Sequence, residues 1–342
     1  MAKVTIRDVA AAAGVSPATV SRALTQPGRV SMETANRIRA IADELGYRVH
    51  PVRTDPFDGR LLGEIGALVP DFRYSVFGDY LYGVQHQCKM RGYRLAVSVT
   101  EDQGDEEREL INTCLKRVDG LVLIASRVPD TVIRKAAQTK PVVVVNRLVR
   151  GVQSVVVDDR PSIEEAVMQL KRLGHRSVTY LPWTQFSWQN GLRWQALLSV
   201  CHREGLRVRR LGVPRIPPDA EDVDMSATVD EFQESPTSAI VAYNDLMAGD
   251  VMRELARRGV DVPGEVSVIG FDNTPLGQLG TPCLATIGVD REDVGALAAA
   301  HLIGRVLHID DSAAPMVRAS RFMMADSVGP APPGQAVCAG RG

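Results

Sequence analysis

Ser16, Thr19, Ser21 and Arg22 fall together on what reads as one short helix, ending near Leu24. Exposed hydroxyls beside a guanidinium suit recognition of a phosphate-lined groove, with the N-terminal residues of the helix at base edges. Ala10, Gly14 and Val20 precede and interleave with them at the spacing of a helix-turn-helix. A small residue lets two helices approach, glycine supplies the positive φ of the turn, and a branched apolar residue locks the second helix on the first. The competing reading is an ordinary helical pair inside a core, which this much exposed polarity on so short a helix opposes. Bond-making chemistry has no comparable signature. The sequence contains no G-x-G-x-x-G after a strand, no phosphate-binding G-x-x-x-x-G-K-[ST], no G-x-S-x-G and no H-E-x-x-H. The six histidines show no metal-ligand spacing, and the five cysteines lie far apart without a C-x-x-C pair. We therefore expect no catalytic residues, no metal and no cofactor.

The elements that must carry the helix pair are legible around it. Thr5 can cap a first helix, Ile6–Ala13, with Asp8 three residues on, where a carboxylate favours the positive helix end. Ser16 is a second cap, and Pro17 stands at the first helical position, where its missing N–H costs nothing. Ser31 caps a third helix, Met32–Leu45, whose apolar stripe is Ala35, Ile38, Ala42 and Leu45. Residues 1–60 hold nine basic and six acidic side chains, while the whole chain has a net charge of −1. A modestly basic head on an acidic body fits a nucleic-acid partner at the N-terminus.

From Leu62 onward short apolar runs alternate with helical stretches: Ile65–Val69, Tyr93–Val99, Gly120–Ile124, Val142–Val145, Ser177–Leu181, Ala239–Ala242 and Val266–Ile269. Such alternation predicts βαβ units and parallel sheets. So long a body predicts two similar α/β lobes with a cleft between them. No run is long enough to span a membrane, and Met1–Asp8 has no apolar export core, so a cytoplasmic protein without membrane partners is expected.

Val4–Ala10, Ala13–Leu24, Val30-Ser31 and Leu45-Gly46-Tyr47 resemble the head of the lactose/galactose repressor (LacI/GalR) family. The likeness continues through Val69-Pro70-Asp71, Gly83, Val118–Leu121, Pro141–Val143, Asn146-Arg147 and Leu173-Gly174-His175. It closes with Val241–Asp245, Val268–Asp272 and Thr286-Ile287. The resemblance implies an α/β protein with an N-terminal all-α helix-turn-helix head and a two-lobed body like a type I periplasmic binding protein. The expected divisions are a head over 1–47, a hinge or linker over 48–61, and an effector-binding and dimerisation body over 62–328. Its first lobe would comprise about 62–159 and 289–319, its second about 160–288 and 320–328. A Gly/Pro/Ala-rich tail, Gly329–Gly342, is expected to be disordered.

The resemblance also implies roles. Pro17, Ala18 and Arg22 match positions that read operator bases. A guanidinium can pair bidentately with guanine, and a methyl suits the thymine methyl. Thr5, Ser16, Thr19, Ser21, Ser31 and Thr34 match phosphate-binding positions, and Tyr47 joins the DNA-binding set; for Ser16 and Ser31 helix capping is a second role. Arg193, twelve residues before Gly205, matches an arginine that clamps ligand hydroxyl or carboxyl oxygens. Asn244, Asp272 and Asn146 each follow a strand, where open sheets bind ligands, although turn chemistry would also place Asn and Asp there. Val76 and Phe77 match positions that floor the cleft. Trp183, Trp188 and Trp194 are candidates for stacking on a sugar ring, core packing being the commoner fate of tryptophan.

The linker departs from the family pattern. Pro56 falls where a hinge-helix leucine is usual, with Pro51 and Asp55 nearby, so an extended linker is expected, or Phe57 as a replacement wedge. The expected function is a homodimeric repressor on a pseudo-palindromic operator, modulated by a small ligand, a sugar or sugar derivative. The alternatives are control by a protein partner, or a solute-binding protein, which the helix-turn-helix opposes.

Overall fold

The structure is a computed structural model that describes residues 5–25, 30–45, 61–183, 187–212, 224–309 and 314–333. Tyr47, the linker 48–60 with Pro51, Pro56 and Phe57, and the tail from 334 lie outside the described residues. So do the side chains of Ala18, Ser21 and Arg22.

The head is three helices: α1 (Ile6–Ala13), α2 (Pro17–Thr25) and α3 (Met32–Glu44). Gly14 ends α1 at φ 65°, a left-handed conformation that glycine adopts at no steric cost. Its turn is closed by Val15 N–H donating to the Ala10 carbonyl at 3.1 Å. Val9, Ala10, Ala13, Val20, Ala23, Ala35, Ile38 and Ala42 form one buried cluster. Leu45, expected in that stripe, is instead 38% exposed, because α3 stops one residue before it.

The body runs β1 (Glu64–Val69), α4 (Ser75–Met90), β2 (Arg94–Val99), α5 (Gly104–Cys114), β3 (Gly120–Ile124), α6 (Asp130–Thr139), β4 (Val142–Val145) and β5 (Gln153–Asp158). It continues with α7 (Arg160–Arg172), β6 (Ser177–Leu181), α8 (Trp188–Glu204), β7 (Arg207–Arg210), α9 (Ser226–Glu234), β8 (Ala239–Ala242), α10 (Asp245–Arg257) and β9 (Ser267–Phe271). Then follow α11 (Pro275–Leu279), β10 (Ala285–Gly288), α12 (Arg291–Val306), β11 (Met316–Ala319) and β12 (Arg321–Met323).

These elements form two six-stranded sheets, ordered β2-β1-β3-β4-β5-β11 and β7-β6-β8-β9-β10-β12. The order is the same in both. Each sheet reverses its winding beside its founding strand, β1 or β6, the arrangement that opens a ligand-binding edge at the strands' carboxyl ends. Strands β3, β4, β6, β8 and β9 are buried along their whole length, as expected where helices cover both faces of a parallel sheet. Against the parallel expectation, β12 runs antiparallel to β10. Edge strand β7 went unread in the sequence because Arg207-Val208-Arg209-Arg210 carries no apolar run.

The chain divides into two compact units, Met1–Val155 with Arg291–Met316 and Val156–Asp290 with Val317–Gly342. In the first, α4 and α12 cross where Gly83 meets the Glu292 and Ala296 backbone and Gly295 meets that of Tyr80. A methyl group at either glycine would collide with main chain that cannot step aside. The start of the supposed tail is ordered. Gly329 N–H donates to Ser267 Oγ at 3.1 Å, its carbonyl accepts from His175 Nε2 at 3.0 Å, and Ala331 N–H reaches the Leu173 carbonyl at 2.8 Å.

Candidate functional site

In the second unit, α8 carries Arg193 toward the carboxyl edge of the sheet. Its side chain is 5% exposed, and each of its three nitrogens donates to a protein acceptor. Nε reaches Asp159 Oδ2 at 2.9 Å, Nη1 the Tyr243 carbonyl at 2.7 Å, and Nη2 Asp272 Oδ1 at 3.2 Å. The guanidinium also lies 4.0 Å from the centre of the Phe271 ring and 5.1 Å from that of Tyr243. Burial opposes the charged form, but Asp159 and then Asp272 outweigh it and hold the Arg193 pKa well above its usual value.

Local sequence explains the convergence. Asp159 directly follows β5 and opens α7, Asp272 directly follows β9, and Tyr243 follows β8. Asp272 sits at φ 97° and Asn273 at φ 50°, conformations that Asp and Asn tolerate better than other side chains. The strap they form is pinned by Asp245. Its Oδ2 accepts from Thr274 N–H at 2.7 Å and Thr274 Oγ1 at 3.1 Å, and its Oδ1 from Thr286 Oγ1 at 2.6 Å. Burial, against those hydrogen bonds and with the charge of Asp272 beside it, pushes the Asp245 carboxyl up to about 7. Asn244 Oδ1 accepts from Met247 N–H at 2.9 Å, so its carbonyl end caps α10. That is the turn-chemistry role which remained open for it.

In the first unit, Asn146 follows β4 at φ 63° and donates through Nδ2 to the Tyr80 hydroxyl at 2.8 Å. Its Oδ1 is buried and finds no partner among the described residues. Val76 and Phe77 open α4 just beyond β1, Val76 buried and Phe77 half-buried, with Phe77 edge-on to Tyr74 at 6.2 Å. The tryptophans part company. Trp194 stacks on Tyr180 at 5.7 Å beside the core, Trp183 stacks on Tyr243 at 6.0 Å, and Trp188 is 41% exposed.

In the head, the Ser/Thr residues engage one another across the helix starts. Thr5 N–H and Oγ1 both donate to Asp8 Oδ2 at 2.7 Å, which lowers the Asp8 pKa. Ser16 Oγ accepts from Thr19 N–H at 3.1 Å, and Ser31 Oγ accepts from Thr34 N–H at 3.3 Å. Thr5, Ser16, Pro17 and Ser31 are exposed; Thr19 and Thr34 are half-buried. The caps thus leave polar atoms beside the solvent-facing end of α2. Among the described residues no group of three His, Cys, Asp or Glu could hold a metal ion, and no helix is long and apolar enough to cross a membrane.

The chain matches the pattern of bacterial regulatory proteins of the lacI family over residues 5–49 and that of a periplasmic binding protein-like domain over 167–324. The HTH-type transcriptional repressor CytR of Escherichia coli K12 is 30% identical over 302 residues, covering 85% of this chain and 86% of that protein. This chain belongs to the LacI family of DNA-binding transcriptional regulators. The ribose operon repressor of Bacillus subtilis is 29% identical, covering 88% of this chain and 91% of its own. Among solved structures, the Lac repressor dimer bound to operator and an anti-inducer shares the fold with a TM-score of 0.70, at 21% identity, covering 96% of this chain and 100% of that one.

Two residues of this LacI-family site escaped the reading of the sequence, Asp159 and Asp245. The first had a signal: Val155-Val156-Val157-Asp158-Asp159 is an apolar run broken by two carboxylates, the pattern of a strand end. A boundary at 159 would have left that residue in the first lobe, whereas it lies in the second unit beside Arg193. Asp245 had none, since an acid in the first turn of a helix is commonly just favourable to the helix dipole.

Proposed function

We propose that this regulator is a cytoplasmic homodimeric repressor of a pseudo-palindromic operator, released or retained by a small polyhydroxylated ligand, a sugar or sugar derivative. Arg193, Asp272 and Asn244 are its ligand-binding residues in the second unit, and Val76, Phe77 and Asn146 those in the first. It acts by binding and coupling, not by turnover. The observation that carries the reading is the buried guanidinium held between two carboxylates at the carboxyl edge of a doubly wound sheet. Carboxylate lone pairs and oriented N–H groups at such an edge match the vicinal hydroxyls of a sugar. Pairing of heads follows from physical need, because one short helix reaches too few bases for useful specificity.

In the head, Pro17, Ala18 and Arg22 are the base readers. Thr5, Ser16, Thr19, Ser21, Ser31, Thr34 and Tyr47 hold phosphates and backbone. The test is operator mapping by footprinting, followed by titration of the mapped site and of random DNA. Arg22→Ala should cost about 1–3 kcal/mol on the operator and little on random sequence, whereas Thr19→Ala should weaken both alike. A sugar panel added to the operator complex should then shift operator affinity of the wild type. Equal loss on every sequence for Arg22→Ala would refute the base-reading role.

A further inference from the structure

We infer that the amino edge of the first unit's sheet, where the chain enters the body from the linker, is a second DNA-contacting surface that grips the phosphate backbone without reading sequence. Strands β1, β2, β3 and β4 run parallel, so their amino ends share one edge. The ends of α4, α5 and α6 and the turns that follow them bring Lys89, Arg91, Lys116, Arg117 and Lys140 to that edge. Lys89, Arg91, Lys116 and Arg117 are exposed, and none forms an ion pair with a described residue. The described acids at the edge are engaged: Glu64 meets Arg94 at 3.0 Å, and Asp119 is buried. Asp310 and Asp311, which follow α12 in the chain, lie outside the described residues. Asp119 Oδ1 accepts from Leu62 N–H at 2.7 Å, and its Oδ2 from Gly63 N–H at 2.7 Å and Glu64 N–H at 3.3 Å. Gly63, at φ 72°, lets these successive N–H groups converge on one carboxylate. The chain is thereby fixed between the cationic turns at the point where it arrives from the linker.

The inference rests on the DNA-binding head for its tether. Thirteen residues separate Tyr47 from Leu61, a span of no more than about 50 Å. A head seated in the major groove therefore keeps this edge within reach of the same duplex, and tethering lets weak contacts count through a high effective concentration. Phosphates line both grooves, so lysine and arginine need no particular base beside them. Cations at helix C-termini also complement the helix dipole, which would account for Lys89 in the last turn of α4. It does not account for Lys116 and Arg117, which stand in the turn beyond Leu115, the C-cap of α5. The second unit, built in the same strand order, provides the comparison. At its amino edge Lys171 and Arg203 are salt-bridged to Glu204, while Glu234, Asp261 and Glu265 precede β8 and β9 and offset the remaining cations. Charge at the two edges follows the linker and not the shared scaffold.

The experiment is fluorescence-anisotropy titration of the full-length protein, from about 50 to 200 mM salt, onto a mixed-sequence duplex of about 40 base pairs and onto the mapped operator. Replacing Lys89, Arg91, Lys116 and Arg117 together by Ala should make the slope of log K against log salt shallower by at least about 0.9, the share of one phosphate contact. Affinity at about 100 mM salt should fall at least about threefold, by the same factor on both duplexes, because backbone contacts carry no sequence information. The control replaces four exposed arginines of the second unit, Arg172, Arg176, Arg207 and Arg210, by Ala, which changes net charge equally. It should leave the slope in place, since exposed charges farther than about 8 Å from DNA are screened at physiological salt. A smaller change of slope in the first variant, an equal change in the control, a loss confined to the operator, or no binding of the mixed-sequence duplex by the wild type overturns the inference. The pairwise variants Lys89→Ala/Arg91→Ala and Lys116→Ala/Arg117→Ala are measured beside it. If the fourfold variant departs from wild-type circular dichroism, one of these pairs must show the change of slope. The mixed-sequence titration needs no operator, so failure to map one would refute the proposed repressor while this surface is still judged on its own.

Discussion

Asn146 and Asp272 occupy corresponding places. Each directly follows the fourth strand of a sheet built in the same order, and each has positive φ, 63° and 97°. The backbone device is shared: a left-handed residue turns the chain off the carboxyl edge and aims a short polar side chain along it. The electrostatics are not. Asn146 is neutral, bonds the Tyr80 hydroxyl and keeps a buried oxygen without a partner among the described residues. Asp272 is charged and meets a buried cation that a second carboxylate also holds. A duplicated scaffold has therefore fixed where side chains point while leaving their charge free to diverge. Among the described residues, the second unit's edge holds a charged side-chain cluster and the first unit's edge a neutral amide–hydroxyl pair.

The sharpest way to break the contrast is to remove the cation. Arg193→Ala removes the cation that Asp159 and Asp272 share, and breaking a buried pair in this manner costs about 3–5 kcal/mol. All three tryptophans, Trp183, Trp188 and Trp194, lie in the second unit, so tryptophan fluorescence during urea unfolding reports that unit. The transition should move to markedly lower urea. A shift of under about 1 kcal/mol would mean that the ion triad is idle in the folded protein.

Transplanting the charge tests the other side. Asn146→Asp puts a carboxylate where Asp272 has its counterpart but supplies no arginine. Burial then raises its folded-state pKa above the ordinary value, and the variant should lose about 1–3 kcal/mol at pH 8. The sign follows from linkage. A raised folded pKa makes the charged form the costly one, so the loss should fade as pH falls through that value. Unfolding by circular dichroism at pH 5 and pH 8 checks it; an equal loss at both would point to packing instead of charge.

The order of the elements was legible because long buried strands and capped helices advertise themselves. Gly120–Ile124, Val142–Val145, Ser177–Leu181 and Ala239–Ala242 were bounded to the residue, as was α1 from Thr5 and Gly14. Short edge strands were not legible: β7 is mostly arginine, and β11 and β12 lie close to the end of the chain, where pairing partners are distant in sequence. Among the candidate site residues, Arg193 and Asp272 were named from the family resemblance, but the direction of the arginine's bonds was not legible. A sequence places a guanidinium near a ligand edge without telling whether protein carboxylates have already claimed it. Asp159 bonds a partner 34 residues away and Asp245 partners 29 and 41 residues away, across strands that no local pattern connects.

Asp245 gives a prediction about the strap beneath Asp272. Its folded pKa, about 7, stands above the ordinary value of 3.8. Its contribution to stability is therefore fully present below the unfolded value and is lost as pH rises through about 7. Asp245→Asn removes that dependence. It also replaces an acceptor oxygen by a donor facing Thr274 or Thr286, which should cost about 1–2 kcal/mol. Tryptophan-monitored unfolding at pH 5, 6, 7 and 8 should show a flatter profile for the variant than for the wild type. Parallel profiles would remove Asp245 from the titrating groups.

The smallest expected effect is at Asn146 itself, and it asks whether the shared backbone device is costly where no charge rewards it. A non-glycine residue in the left-handed region carries strain, and glycine would relieve roughly 1 kcal/mol of it. Asn146→Gly also deletes the neutral hydrogen bond to Tyr80, worth about 1 kcal/mol net, and removes the buried oxygen that lacks a partner. These terms nearly cancel, so the variant's stability should stay within about 1 kcal/mol of wild type. Asp272→Gly, with the same backbone relief, should lose clearly more, because one of the two counter-charges of Arg193 disappears with the side chain. Urea unfolding of the two variants side by side separates backbone from electrostatics. Equal losses would show that the ion pair contributes nothing beyond what the neutral amide does, and the two edges would differ only in composition.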